Sequence, residues 1–182
     1  MTSTDIRVDA QLLTGFQIND VTAFLWTKDA IKKIYRNHPL AAPKKTVEVS
    51  FTDEHGGEYV IEDELVRIED VTRKDHRYPI AQHTWDCDEF GNMKFWHKGE
   101  YVITYRYVPP MPPTISSPLS PLPDRYAECI KYYVSARMRS RVYGQGDNDA
   151  QTYDNLFWQY VADADISMER TNKRHRRMPA RI

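Results

Sequence analysis

The chain of 182 residues is 41% hydrophobic and 12% aromatic, enough to bury one core with or without an insertion, and too apolar for global disorder. Its 25 Lys/Arg and 26 Asp/Glu leave a net charge of −1, but residues 167–182 hold six basic side chains and one Glu, a charge of +5 that leaves the remainder at −6. No apolar run approaches the roughly 18 residues of a membrane span, MTSTDIRVDAQLL does not open like a secretion signal, and two cysteines cannot build a disulfide framework. Cys87, beside Asp86, Asp88 and Glu89, and Cys129, on the apolar face of a predicted helix, read as reduced thiols of a cytoplasm.

In chain order, the first block (1–45) is weakly helical. Its clearest helix is Thr27 to His38, with Thr27 as N-cap, Asp29 in the first turn and Ala30, Ile31, Ile34 and Tyr35 as the apolar stripe. Pro39 ends it. The preceding segment is either a short helix near Asp9 to Thr14 or an extended arm.

The second block (46–108) reads as strands. TVEVSF alternates Val47, Val49 and Phe51 with Thr46, Glu48 and Ser50. His55-Gly56-Gly57 turns the chain into EYVIEDELVRIEDV. RYPIAQHTWDC and NMKFWHK follow, joined by a turn at Phe90-Gly91-Asn92. EYVITYRYV then sets Tyr101, Ile103, Tyr105 and Tyr107 on one face, with Val102, Thr104 and Arg106 on the other. Short strands at this spacing predict a small antiparallel sheet or barrel.

Residues 109–123 hold seven of the eleven prolines and predict a semi-rigid, extended connector. An SH3-type ligand is disfavoured because basic flanks are missing. The third block (124–170) is a helical hairpin. Asp124 caps a helix with Tyr126, Ile130, Tyr133, Val134, Met138 and Val142 as its stripe. After GQGDND, with Asp147 to Asp149 as a cap, a second helix carries Tyr153, Leu156, Phe157, Tyr160, Val161, Ala164 and Met168. Pro179 predicts an extended basic arm over 171–182. The fold class is therefore α+β: an N-terminal helix and a C-terminal αα-hairpin around an inserted antiparallel sheet or barrel, ending in that arm.

Catalytic signals are missing. No GxSxG, HExxH, Walker-type or GxGxxG pattern occurs, and the carboxylates at Glu62, Asp63, Glu64, Glu69, Asp70, Asp86, Asp88 and Glu89 read as solvated faces, so an enzyme is disfavoured. His83, Cys87 and His97 are too few for a structural zinc site, and no metal or cofactor is expected. Arg137, Arg139 and Arg141 either line a channel that carries DNA, pair with neighbouring acids, or lie solvated. The basic tail, Arg170, Lys173, Arg174, Arg176, Arg177 and Arg181 with Met178 and Ile182 as apolar anchors, suits phosphates or an acidic cleft on a partner. The terminal apolar residue favours the cleft.

YVITYRYVPP, a Pro-rich gap and LPDRYAECIKYYVSARM together resemble the head-to-tail adaptor (connector) proteins of tailed bacteriophages. That family follows an xxYxxxPP strand with LPDxYxxxIxxYVxxRA, a Gly/Asp turn and an aromatic-rich helix. The matching residues are Tyr105, Pro109, Pro110, Leu122, Pro123, Asp124, Tyr126, Ile130, Tyr133, Val134 and Ala136, then Asp147 and Phe157. YVIEDELVRIEDV is similar to the family's strand pair, and WTKDAIKKIYRNHP to its helix before them. The family opens with two helices; only one is legible here. The resemblance, over roughly residues 59–165, implies a virion structural protein of the neck, made in the host cytoplasm. It would form a homo-oligomeric ring, typically of twelve copies, beneath the portal protein and join head to tail. Its C-terminal arm would enter the portal, tail or neck proteins would bind below, and packaged DNA would pass through the centre with non-specific contact; no membrane partner is implied. A tail-completion or stopper protein is the alternative in the same particle, and a nucleic-acid-binding module the alternative outside it.

Overall fold

A computed structural model describes residues 1–76, 78–119 and 121–177, with 169–177 described by their helical backbone. Helices and small antiparallel sheets are combined in the α+β manner. The chain divides into two compact units: Met1–Ala41 with the chain from Pro110 onward, which is helical, and Ala42–Pro109, which is β. The strand-rich segment expected at 46–108 lies within the second.

In the helical unit, α1 (Ser3–Thr14) starts with a capping box. Thr2 accepts the Asp5 N–H while the Asp5 carboxylate accepts the Thr2 N–H, so donors that the first turn cannot satisfy are paired. Gly15, at φ 73°, closes the helix. α2 (Asp20–Asn37) is capped by Asn19, whose side chain accepts the Thr22 N–H. These two helices correct the N-terminal expectation. Thr27 is not a cap; it is buried inside α2, with its hydroxyl donated to the Ala23 carbonyl. Ala30, Ile31, Ile34 and Tyr35 are buried as the stripe requires.

The Pro-rich stretch does more than connect. Pro118 bridges Thr2, and the Leu119 N–H donates to the Met1 carbonyl, seating Leu119 and Leu122 in the core. α3 (Asp124–Ala127) begins after Pro123, so Asp124 is its first residue rather than its cap, and α4 (Ile130–Tyr143) follows. Glu128 and Cys129 keep right-handed helical angles. The bonds there shorten to i→i+3 reach, Cys129 to Tyr126 and Tyr132 to Cys129, which divides the helix expected to run unbroken. α5 (Asn148–Arg177) is the longest element.

α4 packs against α1, α2 and α5. It buries Ile130, Tyr133, Val134 and Met138, whereas Val142 of the expected stripe is exposed. α5 buries Ala150, Phe157, Val161 and Ala164, with Phe157 5.2 Å from the Tyr133 ring; Tyr160 lies outside this narrower stripe and is exposed. Burial of a side chain such as Phe157 contributes about 2–3 kcal/mol.

The β unit has two three-stranded antiparallel sheets. In the first, β6 (Gly99–Val108) lies between β1 (Lys44–Phe51) and β3 (Glu64–Arg73). In the second, β5 (Asn92–Phe95) lies between β2 (Gly57–Val60) and β4 (Trp85–Cys87). EYVIEDELVRIEDV thus divides between two sheets, and among the described residues RYPIAQHTWDC supplies the three of β4. The sheets share a core of Ile61, Val71, Met93, Phe95, Tyr101, Ile103 and Tyr105, in which the Phe95 ring is 4.5 Å from Tyr101 and 5.1 Å from Phe51. The period-2 face of β6 holds for Tyr101, Ile103 and Tyr105. Its opposite face is less wet than alternation implies, because Arg106 is also buried. Gly56, at φ 81°, is required: a Cβ there would lie 2.0 Å from the Phe95 carbonyl oxygen.

Candidate interaction surfaces

Arg137, Arg139 and Arg141 are two residues apart on α4, so they point in different directions. Arg139 joins the hairpin: Nε is 2.9 Å from Asp147 Oδ2, Nη2 is 3.1 Å from Asp147 Oδ1, and Nη2 is 2.5 Å from Asp149 Oδ2. Asp147 Oδ2 also accepts the Ala150 N–H at 3.0 Å, the cap expected for α5, and the Arg139 bond holds this carboxyl below its usual range. Arg137 donates to the Tyr133 hydroxyl at 2.9 Å, with its guanidinium 4.9 Å from that ring. Lys33 donates to the same hydroxyl at 2.9 Å, and the hydroxyl donates to Asp29, fastening α2 to α4. Arg141 is exposed. Two of the three arginines therefore hold the fold, the salt-paired reading for Arg139.

The basic end differs most from expectation. Residues 171–177 are helical, not extended: α5 continues to Arg177, two residues short of Pro179. Met, Glu, Lys and Arg are good helix formers, and cations in the last turns meet the negative end of the helix dipole. Proline forbids helix only at its own position and discourages it just before. The 3.6-residue period puts positions 170, 173, 174 and 177 on one face of this helix, with 176 off it. Met178, Arg181 and Ile182 lie outside the described residues.

A second surface gave no clear sequence signal. α1 leaves Val8 and Leu12 in water, and α2 leaves Val21 and Leu25; Leu12 is 80% exposed, Val21 69% and Leu25 59%. Each pair has i,i+4 spacing, and the two helices pack together, tied by the Arg7–Asp20 ion pair. Single exposed apolar residues need no explanation; here they recur at helical spacing on both of two packed helices. Only the helix boundaries separate this outer pair from the inner Ile6 and Ala10, and α1 was ambiguous in sequence.

The remaining thiols, histidines and carboxylates lie in separate settings. A groove of about 320 Å³ between α3–α4 and α5 is lined by Arg125, Cys129, Tyr132, Tyr160 and Asp163 among others. Burial, followed by the nearby Glu128 charge, pushes its Cys129 thiol up to about 11, the opposite of an activated nucleophile. Burial and then Asp88 and Asp86 also raise Cys87. His38 Nδ1 pairs with one oxygen of Asp165 while the other accepts the Tyr126 hydroxyl, and Trp158 stacks 5.9 Å from the His38 ring. This set ties the end of α2 to α5.

In the β unit, burial opposes ionisation of Glu69, but bonds from Arg106, Arg67 and Lys44 outweigh it and hold the carboxyl at about 2. Tyr105 is pushed up to about 12 by burial and by its bond to Asp63, which also pairs Lys45. These are structural networks. Among the described residues no group of three or more His, Cys, Asp or Glu could hold a metal, and no helix is long and apolar enough to cross a membrane. No protein-family model matches the sequence, and no curated protein matches it.

Proposed function

We propose that this chain is a structural assembly protein, a head-to-tail adaptor of a tailed bacteriophage that binds the portal through the end of α5. The observation that carries the reading is the basic face at 170, 173, 174 and 177, presented on a helix instead of a loose tail. A preformed helix loses less conformational entropy on docking than an extended arm, and its cations form charge-assisted bonds in an acidic cleft. The order of elements supports the same reading: two N-terminal helices, a β insertion, then a proline-led helix pair, as the sequence resemblance requires. The apolar pairs on α1 and α2 suit contact between neighbouring copies in a ring.

Deleting 171–182 is expected to leave the thermal unfolding transition in place and to abolish attachment to portal rings in electron micrographs; attachment retained without these residues removes the mechanism. The basic face also suits nucleic-acid phosphates, so a DNA-binding module is the second reading. It requires tight, steeply salt-dependent binding of DNA by the isolated protein, whereas the adaptor requires weak DNA binding and a ring on the portal.

A further inference from the structure

We propose that the free protein pairs with a second copy of itself through the outer edge of β1, forming a continuous six-stranded sheet across a two-fold axis at Thr46. This is independent of the adaptor reading. Four strands border the two sheets, and three of them are short or blocked. β2 and β4 have four and three residues. β3 carries two register shifts, and its far side is met by the Thr72–Pro79 bridge and the Ile80 N–H bonded to the Val71 carbonyl. β1 is eight residues long, has no register shift and no proline, and pairs only with β6 among the described residues. Such an edge is a template for another strand, which proteins otherwise blunt.

The hydrogen-bond phase decides which residues face out. Tyr107 donates its N–H to the Pro43 carbonyl, one step beyond the Lys44↔Arg106 and Lys45↔Tyr105 pairs. Odd residues of β1 therefore bond to β6, and Lys44, Thr46, Glu48 and Ser50 turn their N–H and C=O groups outward. An antiparallel copy with Thr46 opposite its own mate sets Lys44 against Glu48 of the other copy twice. Moving the axis to Glu48 would set two carboxylates face to face, and an axis at Val47 pairs neither charge directly. Glu48 is engaged by the half-exposed ion pair from Lys74 at 2.9 Å, which rearranges at little cost, while Lys44 keeps its 3.1 Å contact to the mostly buried Glu69 and has further ammonium donors to offer Glu48 of the other copy. Charge matching at this register identifies the occupant as a second copy.

Light scattering and sedimentation of the full chain across a dilution series test this. The unaltered protein is expected to be a dimer. Thr46→Pro removes an outward donor while leaving the backbone ladder to β6 in place, and should give a monomer that keeps the circular-dichroism spectrum of the parent and unfolds cooperatively. Glu48→Lys should weaken the dimer at least tenfold, and Lys44→Glu added to it should restore pairing. Thr46→Cys should form a disulfide-linked dimer under mild oxidation. A monomeric parent protein, or a Thr46→Pro variant that stays dimeric, overturns the proposal.

Discussion

Glu69 shows how single side chains stabilise the β unit. Arg106 lies on a strand face that alternation assigns partly to solvent, yet its side chain is only 7% exposed, bonded to Glu69 at 2.7 Å and to the Ala42 carbonyl at 2.5 Å. Replacing Glu69 by Gln removes the carboxylate charge at 2.7 Å from that buried cation, and unfolding free energy should fall by about 3 kcal/mol in urea titrations. The pH dependence has a definite sign. The folded carboxyl titrates at about 2 against an ordinary value of 4.5, so its contribution is complete above about pH 4.5 and is lost as pH falls toward 2. Acid titration of the parent protein should show this loss, and Glu69→Gln should flatten it; equal slopes would remove Glu69 from the account. In sequence Glu69 was one of eight carboxylates on apparently solvated faces, because the side chains around it come from β1, β3 and β6. Asp147, by contrast, was legible as a cap, since capping is a local rule with its partner three residues away.

At the scale of elements, the long periodic segments were readable and the ends were not. The α4 and α5 stripes and the β6 alternation came from spacing alone. α1 was legible only as a choice between a short helix near Asp9 to Thr14 and an extended arm, because its inner Ile6 and Ala10 are interleaved with Val8 and Leu12, which blurs the period on which recognition depends. The α5 terminus was misplaced because Pro179 was given a reach it lacks. Two variants separate the ends of this helix. Asp147→Ala removes the cap and one of the two carboxylates bonded to Arg139, and should lower the unfolding temperature with a cost of about 1–2 kcal/mol. Asn172→Pro should reduce far-UV helical signal while leaving the unfolding temperature close to that of the parent, since the last buried positions of α5 are at Ala164 and before among the described side chains. A large fall in stability with Asn172→Pro would mean that the basic turns are part of the core.

For the molecule as a whole, the strands lie in the stretch between the helical blocks that is rich in β-branched and aromatic residues. Which strands share a sheet was not readable, because β6 pairs with β1 and β3 across long intervals and no turn motif encodes that order. The β unit has what an independent domain requires. Its apolar cluster closes around Phe95, Tyr101, Ile103 and Tyr105, its buried Arg106 finds Glu69 and Ala42 within 42–109, and its turns are locked internally, as where Asp88 accepts the Phe90 and Asn92 N–H groups. Residues 42–109 expressed alone should therefore fold, with a modest stability of about 3–5 kcal/mol, as expected of so small a core. Cooperative urea unfolding and a structured near-UV spectrum from the buried tyrosines would establish this, and Phe95→Ala should abolish both. A fragment that binds hydrophobic dyes and melts without a transition would mean that the sheets need the helical unit to form.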